Sequence, residues 1–264
     1  MRIGRIGYIN CAPVYGAIDR GIVALPHGGE LVTGTPAELN DLLVAGELDV
    51  SVISAIEYAR HAKDLVLLPE LAISCDGPVR SVALFSRRTV RQLDGRTVLL
   101  SASSRTSVAL LELLCREVWH IRPKFAEARA EAQDLELLAG LPHDAVLVIG
   151  DAALKLAAAG TYQHRYDLGE QWKRWTTLPF VFAVWASRRG VGFSQAHKAL
   201  LASRTWGLAH LDELAAEASR KTGVSRAVCR EYLGGLDYAF IDRHRTALTD
   251  FLRRVGVPQF IQVA

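Results

Sequence analysis

Two stretches, Ser81-Val-Ala-Leu-Phe-Ser86 and Phe180-Val-Phe-Ala-Val-Trp-Ala-Ser187, bracket the middle of this chain and decide how it divides. Both are short, almost continuously apolar runs with β-branched and aromatic residues, the pattern of strands covered on both faces. Upstream of the first, short apolar runs alternate with helical stretches. Residues 2–9, 30–33, 50–53 and 65–68 read as strands, and residues 13–19 and 56–61 as helices between them. Thr35-Pro36 opens a further helix, with Thr as N-cap, Pro in the first turn and Glu38 three residues on to complete a capping box. Leu39, Leu42 and Leu43 share one face of that helix, and Gly46 ends it.

Between the two brackets the rhythm restarts. Strands are expected at 96–100, 123–125 and 145–149, and helices at 104–117, 133–139 and 152–159. After residue 187 the chain is almost wholly helical, at 194–209, 211–222, 225–233 and 244–255. Repeated strand–helix–strand units call for mainly parallel sheet. The resulting expectation is an α/β chain of two lobes. Residues 1–86 plus 187–264 form the first, and the inserted residues 87–186 form the second. Two crossing segments make a hinge that lets lobes close on a ligand.

Composition narrows the function classes. With 264 residues, half of them hydrophobic and 22% charged, the chain is globular and needs no staple. A net charge of +3, spread as isolated residues and pairs, suits a small anion better than nucleic acid. No run resembles a secretory signal or a membrane span. Cys11, Cys75, Cys115 and Cys229 lack metal-ligand spacing and read as buried free thiols, as in a reducing cytoplasm. The histidines show no metal-binding pairs, and neither a nucleophile elbow nor a phosphate loop occurs. No metal or cofactor is called for.

Ligands of open parallel sheets sit beyond the carboxyl ends of the strands, so the loops there carry the candidates. In Ile9-Asn-Cys-Ala-Pro13, Asn10 is either a helix cap or an amide that donates to and accepts from a ligand. Ser101-Ala-Ser-Ser-Arg-Thr-Ser107 brings five hydroxyls to one helix N-terminus, where orphan N–H groups and the dipole favour a carboxylate or phosphate. Ser103, Ser104, Arg105, Thr106 and Ser107 are its ligand candidates, against a purely capping role. In Ile149-Gly-Asp-Ala-Ala-Leu154, Asp151 either caps a helix or orients a ligand hydroxyl. In Cys75-Asp-Gly-Pro-Val-Arg-Ser81, Ser81 opens the first crossing and is structural or faces the cleft. Trp172, Trp175, Phe180, Phe182 and Trp185 form either packed core or a wall against a cyclic ligand.

Five segments together carry a resemblance: Gly7-Tyr-Ile-Asn-Cys-Ala-Pro13, Asp76-Gly-Pro-Val-Arg-Ser81, Ser103-Ser-Arg-Thr-Ser107, Ile149-Gly-Asp-Ala-Ala-Leu154, and Asp167-Leu-Gly-Glu-Gln-Trp172 with Trp175-Thr-Thr-Leu-Pro-Phe-Val-Phe-Ala-Val-Trp185. The chain resembles the chorismate dehydratases of the futalosine route to menaquinone, over residues 3–187. Thr177 departs from the pattern, standing where Gly is expected. The resemblance implies a type II periplasmic-binding-protein-like fold working inside the cell. It implies loss of water from chorismate to give 3-[(1-carboxyvinyl)oxy]benzoate without a cofactor, and it points to Asn10 and Ser81 as catalytic. It also suggests that the substrate's own enolpyruvyl carboxylate serves as the base. The alternatives are 1,4-dihydroxy-6-naphthoate synthase of the same route, a non-catalytic small-anion-binding protein and, more remotely, a ligand-sensing regulator.

Overall fold

The computed structural model describes residues 1–101, 104–128, 140–257 and 261. Two five-stranded mixed sheets organise it. The first has the order β2(Glu30–Gly34)-β1(Arg2–Ile6)-β3(Val50–Ser54)-β10(Phe180–Arg188)-β4(Leu65–Cys75). The second has the order β7(Lys124–Ala128)-β6(Thr97–Ser101)-β8(Ala145–Ile149)-β5(Val82–Ser86)-β9(His164–Asp167). In each, four strands run in one direction and the fourth in the order pairs antiparallel with its neighbours on both sides.

The antiparallel strands are the bracketing segments, and each joins the sheet opposite to the one expected for it. β5 lies in the second sheet and β10 in the first, so the sheets part at 76–81 and 177–179 rather than at 86/87 and 186/187. The reason is pairing. All five residues of β5 are buried, and its edges are satisfied by β8 and β9, whereas β10 is buried between β3 and β4.

Most local expectations hold. The helices are α1(Ala12–Asp19), α2(Pro36–Ala45), α3(Ala55–Arg60), α4(Arg105–Glu117), α5(Gly150–Ala159), α6(Leu168–Thr176), α7(Ser194–Ala209), α8(Leu211–Thr222), α9(Arg226–Gly235) and α10(Asp242–Val255). The Thr35/Glu38 capping box is present, and Gly46 ends α2 in the left-handed region. β1 is shorter than expected and gives way to a 3-10 turn at Ile9–Cys11. β4 is longer than the 65–68 expected. Pro69 and Glu70, the latter at φ 59°, interrupt the apolar run, and the register against β10 shifts there instead of the strand ending. β9 and α6 have no counterpart in the sequence reading, because His164-Arg-Tyr-Asp167 is an edge strand too polar to signal itself. The helix expected at 133–139 lies outside the described residues.

The four C-terminal helices cover the first sheet and its flank. α7 packs on α1, α9 on α8 and α10 on β10. A bridge between Ser74 and Asp237 ties the region to β4. Trp172 is edge-on to Trp175, Phe180 and Phe251, so these aromatics are mainly core.

Thr177 ends α6 at φ 62°. A β-branched side chain in the left-handed region is strained, and glycine relieves it. Thr177→Gly is therefore expected to stabilise the protein by about 1 kcal/mol, raising Tm by about 2–4 °C. A lower Tm in thermal denaturation contradicts this.

Candidate functional site

The carboxyl ends of parallel strands from both sheets meet at one cavity. After β1 come Tyr8 and Asn10. Ser54 ends β3, Ser104 and Ser107 follow β6, and Ile149 and Gly150 end β8. The crossings add Val79, Ser81 and Val82 on one side and Phe182 and Ala183 on the other. The enclosed volume is about 60 Å³. Pro36, Ser104 and Gly150 bring the amino ends of α2, α4 and α5 to the wall, so three helix dipoles present their positive ends to it. Among the described residues, no carboxylate, imidazole, lysine or arginine lines the space.

Asn10 does not cap a helix. Cys11 occupies the N-cap position of α1, and no side-chain cap bond is made there. The Asn10 Oδ1 atom is buried with no hydrogen-bond partner among the described residues. Leaving such an acceptor unsatisfied costs about 1–3 kcal/mol, which a ligand donor removes. Ser81 is 3% exposed, and its Oγ accepts a hydrogen bond from the Tyr232 hydroxyl at 2.8 Å. Its carbonyl accepts from Gly150 N at 2.8 Å, which joins the first crossing to the end of β8.

The serines of the β6–α4 loop divide by helical geometry. Ser104 caps α4, accepting from Ser107 N at 3.2 Å, and its hydroxyl donates to Ser107 Oγ at 2.7 Å. Both line the cavity. Arg105 and Thr106, expected to touch the ligand, are placed outside it. Thr106 Oγ1 accepts from Ile56 N at 3.2 Å, satisfying an orphan donor at the start of α3 across the gap between the sheets. Arg105 hydrogen-bonds Asp41 at 2.6 Å and pairs in charge with Glu57 at 2.7 Å. Ser103 lies outside the described residues.

Asp151 is also turned away from the cavity. Its Oδ1 accepts from Ile9 N at 3.0 Å, and Lys221 stands 3.9 Å from its Oδ2. Burial raises its carboxyl above the ordinary range, opposed by the Ile9 N–H and by Lys221. Asp151 thus fastens the helix after β8 to the loop after β1. Gly150, at φ 64°, lets Tyr8 lie close beside it, since a Cβ there would sit 2.7 Å from the Tyr8 ring. All four cysteines are free and buried, and burial pushes the Cys11 and Cys115 thiols up to about 12, so neither is a thiolate nucleophile. No group of three or more potential metal-ligating side chains occurs among the described residues.

Three supporting residues were not singled out by sequence reasoning. Asn40, fully buried, donates through Nδ2 to Ser54 Oγ at 3.1 Å and accepts from Ser54 N at 3.0 Å. Tyr232 holds Ser81. Asp167, at the end of β9, accepts from Val79 N at 3.0 Å, Arg80 N at 2.6 Å and Glu170 N at 3.0 Å. It thereby fixes the turn before Ser81, where Arg80 sits at φ 66°. Burial raises the Asp167 carboxyl despite those three donors. The Asp167 motif was visible in the sequence, but only as part of a family pattern.

Together these features define a two-lobed α/β protein of the periplasmic-binding-protein type, with a buried polar site between the carboxyl ends of its two sheets. Solved structures share that fold. A protein from Archaeoglobus fulgidus is 20% identical, with a TM-score of 0.74 over 97% of this chain and 96% of that one. The alkanesulfonate-binding protein of Xanthomonas axonopodis pv. citri is 14% identical, with a TM-score of 0.68 over 99% and 95%. The family model for menaquinone biosynthesis matches residues 1–256. The chorismate dehydratase of Thermus thermophilus is 35% identical over 97% of this chain and 95% of its own length. That of Campylobacter jejuni is 31% identical over 69% and 66%. This chain belongs to the menaquinone-biosynthesis family that contains these dehydratases.

Asp167→Ala strands three N–H groups that it now satisfies, one buried and two partly buried. It is expected to lower unfolding free energy by about 3 kcal/mol or more. A wild-type denaturant midpoint contradicts the bracing role of Asp167.

Proposed function

We propose that the cavity dehydrates chorismate to 3-[(1-carboxyvinyl)oxy]benzoate, with Asn10 and Ser81 acting on the reacting ring. The observation that carries this reading is the chemistry of the wall: hydroxyls, one amide and helix amino ends set among apolar side chains, with no ionisable acid or base among the described residues except the phenol of Tyr8. Such a wall accommodates a dianion through donors and dipoles. Among the described residues it supplies no carboxylate or imidazole to remove a proton, which suits a substrate that carries its own carboxylate.

Chorismate provides the rest. Its C3 proton is acidified through the diene by the ring carboxylate, and C4 bears the leaving hydroxyl. The enolpyruvyl carboxylate takes the C3 proton, the C3–H electron pair enters the ring and the C4–O bond breaks. The departing hydroxide and the abstracted proton leave as water, and the ring becomes aromatic. The protein orients the substrate and stabilises the negative charge that spreads onto the ring carboxylate. We assign the ring carboxylate to Ser107 and the amino end of α4, with Ser104 orienting the Ser107 hydroxyl and the neighbouring Ser103 as a further donor. Asn10 and Ser81 hold the C4 hydroxyl, Asn10 accepting through Oδ1 and Ser81 donating. Arg105, Thr106 and Asp151 act from behind, by joining the lobes.

We take each sheet as the core of one lobe, with the hinge at 76–81 and 177–179. Ligand sites for molecules of drug size usually measure about 300–1,000 Å³. The cavity here measures about 60 Å³, and we infer that the lobes part to admit substrate. No helix among the described residues is long and apolar enough to cross a membrane. The free buried thiols suit a reducing compartment, and we place the reaction in the cytoplasm.

The test is turnover of chorismate by purified protein, followed through formation of the aromatic product. Asn10→Asp sets a negative charge against a dianion and is expected to cut kcat by about 100-fold or more. Near-normal turnover by this variant removes Asn10 from the mechanism, and wild-type protein that leaves chorismate unchanged overturns the dehydratase reading.

A further inference from the structure

We propose that Tyr232 is a positioning residue of the dehydration, holding the Ser81 hydroxyl so that it donates its hydrogen into the cavity. The proposal rests on the dehydratase reading of the site and goes beyond it by assigning work to the C-terminal helices.

A serine hydroxyl has one hydrogen to give and two lone pairs to receive, and its rotor turns to suit its neighbours. An unsupported serine beside a carboxylate or leaving hydroxyl can face the wrong way, and reorienting it during the reaction costs free energy that preorganisation avoids. Ser81 is supported. The Tyr232 hydroxyl lies 2.8 Å behind its oxygen, and both side chains are buried. Burial pushes the Tyr232 phenol far above its ordinary pKa, so it remains protonated and keeps a hydrogen to give. With that hydrogen committed to Ser81 Oγ, the Ser81 hydrogen is left for whatever occupies the cavity.

The same arrangement recurs around the wall. Asn40 Nδ2 donates to Ser54 Oγ at 3.1 Å, and the Ser104 hydroxyl donates to Ser107 Oγ at 2.7 Å. Ser81 and Ser54 therefore each receive a hydrogen bond from a side chain that does not line the cavity, and Ser107 receives one from Ser104, its neighbour on the wall. Each is left with its own hydrogen to offer. A wall of oriented donors discriminates for anions and for a leaving oxygen. Among these supporting donors, Tyr232 stands behind the serine assigned to the reacting carbon's hydroxyl.

Tyr232 reaches Ser81 from α9, 151 residues along the chain. Ser81 lies at the first crossing, between the sheets. The helical C-terminal region is thereby part of the reaction apparatus as well as cover for the first sheet.

The test is a double-mutant cycle with chorismate as substrate, using wild type, Tyr232→Phe, Ser81→Ala and the double variant. Phenylalanine keeps the ring that fills the core and removes only the donor. Tyr232→Phe is expected to lower kcat about 5- to 50-fold while KM stays within about threefold of wild type. The double variant is expected to match Ser81→Ala, because a residue that acts through Ser81 has nothing to add once the hydroxyl is gone. Unchanged kcat in Tyr232→Phe, or losses that multiply in full in the double variant, overturns the role of Tyr232 while leaving the dehydratase reading intact. A wild-type protein without turnover overturns that reading and this role together.

Discussion

Everything at this site depends on two sheets presenting the carboxyl ends of their parallel strands to one another. β1 and β3 on one side, and β6 and β8 on the other, each stop at the same small space, and the chain turns there into helices or caps. The orphan N–H groups of those turns and the serines beside them must find partners. Some find them across the gap, as Thr106 does for Ile56 N and Asp151 does for Ile9 N. The Asn10 acceptor, on a residue that lines the cavity, finds none among the described residues.

The separation of charged from uncharged groups follows from the same geometry. Arg105, Asp41, Glu57, Asp151 and Lys221 pair with one another outside the cavity, while its wall, among the described residues, combines apolar side chains with neutral donors and acceptors. A buried arginine against each substrate carboxylate would also hold the ground-state dianion tightly, and the part of binding shared by both states does not raise kcat. Oriented hydroxyls and helix ends are weaker and can be aimed at the place where charge develops. Fold alone does not distinguish such an enzyme from the solute-binding proteins that share its architecture; the wall chemistry and the family do.

The α/β class, the two-lobed plan and most elements were legible in the sequence, because periodicity, the Thr35 capping box and the apolar brackets are local signals. Sheet membership of the brackets was not, since a strand buried on both faces says nothing about which neighbours it pairs with. Within Ser101-Ala-Ser-Ser-Arg-Thr-Ser107 the helix N-terminus was readable, but the split among its side chains was missed. Residues three apart share a helix face, which puts Ser104 with Ser107 and turns Arg105 and Thr106 toward the other sheet. Tyr232 and Asn40 could not be found at all. They sit in ordinary amphipathic helices, and only the tertiary fold brings them behind Ser81 and Ser54. Thr177 shows the reverse case, a departure from a family motif that the structure explains as a left-handed position occupied without glycine.

The central claim is that this neutral, donor-lined cavity holds the substrate dianion. The most direct measurement is a crystal structure of the protein with 3-[(1-carboxyvinyl)oxy]benzoate. The account predicts the ring between Asn10 and Ser81, with its ring carboxylate within hydrogen-bond distance of Ser107 and the amino end of α4. Product bound instead in the outer groove beside Lys155 and Lys221, with the cavity wall untouched, would contradict it.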